Sequence, residues 1–179
     1  MTTAVLVIDV QQALCTGTDA VFDVNGVIKR INSVTAKARA IGAPVVFIQH
    51  EEADEPFKFG SGGWQLAAGV EARQGDVRIR KTTPDSFNRT DLQALLQARG
   101  VTDLVICGLQ SDFCVDTTVR RALSLGYQVA LVSDAHSTVD NGILPAAKII
   151  AHHNTTLGNI TSFGPRARLI PAEEIHIEG

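Results

Sequence analysis

The chain has 179 residues, is 45% hydrophobic and 20% charged, and carries a formal net charge of −3. That length suits one compact unit with a single main core, and the composition excludes a disordered chain, a collagen-like repeat and a disulfide-dense miniprotein. The 16 Lys and Arg residues are dispersed without a basic run, which disfavours a nucleic-acid surface.

The first apolar run, Ala4 to Asp9, reads as a buried strand. No positively charged leader precedes it, and no stretch reaches the roughly 18 apolar residues that a membrane span needs, so the expected location is cytoplasmic. Asn25 to Ala40 follows as a helix with Val27, Ile31, Val34 and Ala38 on one face. Pro44 to Gln49 and Asp76 to Lys81 are further strands. Thr90 to Gln97 is a helix, Asp103 to Cys107 a strand, Cys114 to Leu125 a helix and Gln128 to Ser133 a strand. Gly42, Gly100 and Gly126 stand where C-terminal helix caps belong. A last helix is expected over Leu144 to His153, and a short sixth strand near Arg168 to Ile170.

This alternation predicts a single-domain, three-layer α/β/α architecture spanning 1–179. Its central, mainly parallel sheet of five or six strands is Rossmann-like, with helices on both faces. The segment Glu51 to Gly75, with Pro56, Gly60, Gly62, Gly63 and Trp64, breaks the rhythm and reads as a functional loop or a partner surface.

In an open α/β sheet, ligands bind beyond the carboxyl ends of the strands. The polar residues expected there are Asp9, Gln49 with His50, Lys81, and the loop from Gly108 to Cys114. An acid, a cation and a thiol then share one rim. A Lys beside that thiol, together with a helix N-terminus, predicts a stabilised thiolate at Cys114. The other two cysteines read differently, Cys107 as a core residue inside an apolar strand and Cys15 as incidental. The three form no disulfide framework and no CxxC pair. For acyl transfer, Cys114 would attack a carbonyl, Asp9 would shuttle a proton to the leaving group, and the loop Leu109 to Phe113 would supply oxyanion donors.

Three blocks carry a family resemblance: VLVIDVQ at Val5 to Gln11, RIRKTTPDSF at Arg78 to Phe87, and GLQSDFCVDTTVRRALSLGYQVALVSDA at Gly108 to Ala135. They resemble the isochorismatase-like cysteine hydrolases, over nearly the whole chain. The resemblance implies a catalytic triad of Asp9, Lys81 and Cys114, a covalent adduct on Cys114, and cleavage of a C–N bond in a small amide, ureide or lactam. It also implies a cis peptide between Leu109 and Gln110 that aims the Gln110 and Cys114 N–H groups at the oxyanion. Relatives usually form dimers or tetramers, so a homo-oligomer is expected, with the Glu51 to Gly75 loop completing a neighbour's pocket. The alternatives are an isochorismatase-type hydrolase of another small substrate and a non-catalytic binding or regulatory subunit.

The chain departs from the family where Ser111 replaces the usual Thr, and where Gln11 is followed by Gln12, Ala13 and Leu14 rather than an aromatic residue. After the second strand, Gln49, His50, Glu51 and Glu52 lack the Asp-x-His metal pattern of nicotinamidases, so neither metal nor cofactor is expected. His50 reads as a hydrogen-bonded loop residue. Gln11, Gln49, Trp64, Phe87 and Ser111 are candidate substrate contacts, although Trp64 and Phe87 are equally open to ordinary packing. His152 and His153, with Asn154, face either the site, a neighbouring subunit or solvent at a helix end.

Overall fold

Residues 2–177 are described by a computed structural model. The apolar runs pair into one parallel sheet of six strands: β1 Thr2–Ile8, β2 Val45–His50, β3 Val77–Lys81, β4 Val101–Leu109, β5 Gln128–Ser137 and β6 Ala167–Ile170. Their order across the sheet is β3-β2-β1-β4-β5-β6. The chain therefore lays strands outward to one side of β1, then returns to the other side with β4. The gap beyond the carboxyl ends of β1 and β4 is the switch point where such sheets hold ligands.

Strand periodicity divides the core. Ala4, Leu6 and Ile8 of β1 face one side, while Val5 and Val7 face the other. On the first side lie α3 (Leu92–Ala98), α4 (Asp116–Ser124) and Leu157 of α5 (Ala146–Gly158). The second side is covered by α2 (Val24–Ala40) through Val27, Ile28, Ile31, Val34 and Ala38. This is the expected three-layer α/β/α arrangement.

Local differences from the sequence expectation have physical causes. A four-residue helix, α1 (Gln12–Cys15), follows β1 unannounced, because a run this short has no amphipathic period to read. The helix expected from Cys114 starts instead as a π-helical turn, Ser111–Val115, and α4 continues from Asp116. Val115 N–H donates to Gln110 O at 3.1 Å, which closes the wider turn. The last helix begins beyond Pro145, whose missing N–H costs nothing at a helix start, and runs on to Gly158. Strand β5 extends past Ser133 to Ser137 through an irregularity opposite Ile106–Gly108, which returns His136 to register beside Gly108.

Gly108 has a φ of +120°, and a Cβ there would meet the Ile8 carbonyl oxygen at 2.1 Å. Only glycine lets β4 lie this close to β1, just before the two strands release the loops that line the site.

Candidate active site

Lys81 reaches the site because of strand parity. On edge strand β3, Ile79 and Lys81 point into the sheet's covered face while Arg78 and Arg80 point out. Asp9 lies one residue beyond β1, with its backbone at φ 49°, and is 1% exposed. Lys81 Nζ donates to Asp9 Oδ2 at 2.6 Å and to Cys114 Sγ at 3.2 Å. Three residues from three separate segments thus meet around one ammonium. Asp9 Oδ1 makes no hydrogen bond of its own, although the buried carboxylate has two oxygens to satisfy.

Cys114 sits in the π-helical turn, half-buried against the apolar layer that contains Val115 and Val119. Its thiol is pushed up to about 12, first by burial and then by the charge of Asp9, against the opposing pull of Lys81. That direction runs against the stabilised thiolate expected from Lys81 and the helix N-terminus. The Asp9 carboxylate already neutralises the Lys81 charge, and desolvation penalises any further anion. Burial and Asp9 thus favour the protonated thiol, and the carboxylate shares the Lys81 ammonium with it.

The Leu109–Gln110 peptide is cis. Leu109 is buried, and Gln110 begins the turn that carries Cys114. The hydroxyl of the wholly buried Ser111 lies 2.8 Å from His136 Nδ1.

The other candidate contacts are engaged within the fold. Gln11 is buried; its amide nitrogen donates to His50 O and Trp64 O, and its amide oxygen accepts from His50 N–H. It pins the Glu51–Gly75 segment to the end of β1, alongside backbone bonds from Gln12 to Gln65, Ala13 to Gly63 and Ala67 to Val10. Gln49 donates to Trp64 O and accepts from Arg78. Trp64 packs edge-on against Phe59, and its indole N–H is buried without a partner. Phe87 is buried and stacks on Tyr127 with centroids 6.0 Å apart, so it is a core residue.

The histidines separate by environment. His50 Nε2 lies 3.1 Å from Glu52, a loop contact, while its Nδ1 is buried and unpartnered. His153 contacts Asp116 at the start of α4 at 3.2 Å, and His152 contacts Thr156 on its own helix. Among the described residues, no three His, Cys, Asp or Glu side chains gather as metal ligands would. Sequence reasoning missed His136, since the apolar run of β5 stops at Ser133 and the register shift that carries the strand on to Ser137 leaves no mark in the apolar pattern.

The family profile of the isochorismatase domain matches residues 3–156. A streptothricin hydrolase of Streptomyces noursei is 39% identical across 94% of the chain, which itself spans 64% of that longer protein. A ureidoacrylate amidohydrolase of Caulobacter segnis is 28% identical, over 75% of this chain and 72% of its own. In the crystal structure of an isochorismatase from Pseudomonas putida KT2440 the fold superposes with a TM-score of 0.88, at 28% identity, over 97% of this chain and 90% of that one. No helix among the described residues is long and apolar enough to cross a membrane. Profile, relatives and fold together establish that the chain belongs to the isochorismatase family.

Proposed function

We propose that the protein is a cysteine amidohydrolase that cleaves a C–N bond in a small molecule through a covalent intermediate on Cys114. The observation that carries this reading is the buried contact of Lys81 with both Asp9 and Cys114. Relatives named as streptothricin hydrolase and ureidoacrylate amidohydrolase support amide-type substrates.

As Cys114 Sγ attacks the carbonyl carbon, its proton passes to Asp9, whose Oδ1 is unengaged. The tetrahedral oxyanion is held by the N–H groups of Gln110 and Cys114, fixed before the reaction begins. Asp9 returns the proton to the leaving nitrogen as the C–N bond breaks, leaving a thioester. Water then adds to the thioester carbonyl, giving a proton to Asp9, and the expelled sulfur recovers it. Throughout, Lys81 keeps Asp9 oriented and offsets the negative charge that moves between carboxylate, sulfur and oxyanion.

The expected homo-oligomer belongs to the same reading. Phe113, the residue before the nucleophile, is 54% exposed, which suits a second copy closing over the site. Sedimentation at several concentrations tests this, with a monomer throughout as the contrary result.

The functional test is intact mass spectrometry with streptothricin, small primary amides, ureides and a reactive aldehyde, on the parent chain and on Cys114→Ala. An adduct on the parent alone, with turnover of one amide class, supports the proposal. Adducts scattered over Cys15, Cys107 and Cys114, or none, overturn it.

A further inference from the structure

A chain of buried polar groups reaches the nucleophile turn from behind, and its proton positions can be deduced. Asn154 on α5 donates its amide N–H to the Ser133 carbonyl at 2.9 Å. A carbonyl only accepts, so the other end of that amide is an oxygen, and it lies 2.9 Å from His136 Nε2. Nε2 must then carry the ring proton. Nδ1 is left as an acceptor, and the Ser111 hydroxyl 2.8 Å away must donate to it. The sequence Ser133 O, Asn154, His136, Ser111 is therefore a one-way relay of hydrogen bonds with no ambiguous member.

Its placement gives it a role. His136 is 2% exposed and Ser111 wholly buried, so neither group can exchange its partner for solvent. Ser111 opens the π-helical turn that holds Cys114, immediately after Gln110. The next residue, Asp112, is tied to the same strand end through Thr138. The turn is thus fastened to the end of β5 at two successive positions, while the nucleophile itself touches Lys81 at the end of edge strand β3. Burial holds the imidazole of His136 below its ordinary range, which keeps the neutral ring that this relay needs.

We propose that His136 is a positioning residue for the nucleophile: locked by Asn154 in the Nε2–H form, it accepts from Ser111 and thereby sets where the Gln110–Cys114 turn presents its thiol. This rests on the proposed role of Cys114. A lost acceptor at Nδ1 displaces the turn that carries the thiol and the oxyanion donors, groups engaged most strongly in the transition state, so it lowers the rate of the covalent step much more than it weakens binding.

The experiment follows acylation of Cys114 by 4-nitrophenyl acetate, read as the burst of nitrophenolate and as a mass shift on the protein. Parent, Cys114→Ala, Ser111→Ala, Ser111→Thr, His136→Asn and His136→Gln are compared, each with its melting temperature. In His136→Asn the side-chain oxygen can replace Nδ1 as acceptor, whereas in His136→Gln the amide reaches towards Asn154 and abandons Ser111. Expected are acylation rates lowered by about 10- to 100-fold in Ser111→Ala and His136→Gln, with the half-saturating ester concentration within about twofold. Ser111→Thr and His136→Asn should recover most of that loss, and the double variant Ser111→Ala/His136→Gln should be no slower than either single one.

Equal rates in parent and His136→Gln, multiplicative losses in the double variant, or a change confined to half-saturation overturns the positioning role while leaving Cys114 as nucleophile. A parent that acylates no faster than Cys114→Ala removes the catalytic reading and this one with it. Should His136→Gln fail to fold, Asn154→Ala, at a half-buried residue farther from the turn, carries the same expectation and the same refutation.

Discussion

Lys81 Nζ and Asp9 Oδ2 are 2.6 Å apart with both side chains withdrawn from solvent, the most deeply buried ion pair among the described residues. Each charge is tolerable in the interior because the other is there. Replacing Lys81 by Met removes one partner and strands the carboxylate, which should cost about 3–5 kcal/mol. Urea unfolding of Lys81→Met measures the loss. The double variant Asp9→Leu/Lys81→Met should recover part of it while remaining inactive. A single variant as stable as the parent would show that the pair is not formed in solution.

Cys114→Ala removes the thiol and leaves the ion pair. Unfolding free energy should change by less than about 1.5 kcal/mol, because a half-buried side chain of this size leaves little cavity. Amide turnover should fall by about 10⁴-fold or more, as for loss of a covalent nucleophile. Steady-state kinetics and denaturation on the same sample separate the two effects.

Stability should fall at alkaline pH. Burial raises the thiol of Cys107 from 9.0 to about 12, and burial with the charge of Asp9 does the same for Cys114. Between these values the folded chain holds protons that the unfolded chain has released. Folding stability contributed by each thiol is thus present in full below pH 9 and is lost as pH rises towards 12, by about 1.4 kcal/mol per pH unit per group. Denaturation curves at pH 8 and 10.5 test the slope, and Cys107→Ala should flatten it by about one proton. At pH 8 iodoacetamide should modify Cys114 more slowly in the folded chain than in urea; faster labelling would contradict the protonated resting thiol.

Gly108→Ala should be among the most damaging single substitutions. The added methyl carbon would lie 2.1 Å from Ile8 O and 2.5 Å from Ile8 N, both backbone atoms of the neighbouring strand. A loss of about 3 kcal/mol or more is expected, read as a lowered melting temperature or failure to accumulate soluble protein.

Gln11→Leu should loosen the Glu51–Gly75 segment without dissolving the sheet. Its side chain makes three hydrogen bonds, two to the backbone of His50 and one to Trp64 O. Losing them strands buried backbone groups at about 1–3 kcal/mol each if no water replaces them. Hydrogen exchange should quicken in that segment and stay slow in β1 and β4.

Much of this was legible in the chain. The strand positions of Val5–Ile8 and Val45–Ile48 follow from unbroken apolar runs, and those runs place Asp9 and Lys81 at one rim by simple counting. Counting also puts Gln11 and Gln49 near that rim, but their bonds to Trp64 O, His50 and Arg78 depend on how the Glu51–Gly75 segment folds back over the strand ends. Phe87 could be a pocket wall or packing by composition alone, and its stack on Tyr127, far along the chain, decides for packing.

Patterns within a few residues, apolar period, caps and the Cys-bearing block, are short-range properties, and they were enough to determine the α/β class, the strand sequence and the residues worth attention. Distances between segments are a different matter. Lys81 meets Asp9 across 72 positions and Cys114 across 33 because sheet order, parity on an edge strand and the close approach at Gly108 bring their ends together. Whether a buried thiol rests as an anion depends on how much solvent packing removes and which charges remain beside it. That balance exists only once the chain has folded, so the upward pull on the Cys114 thiol and the His136 relay behind it belong to the tertiary structure alone.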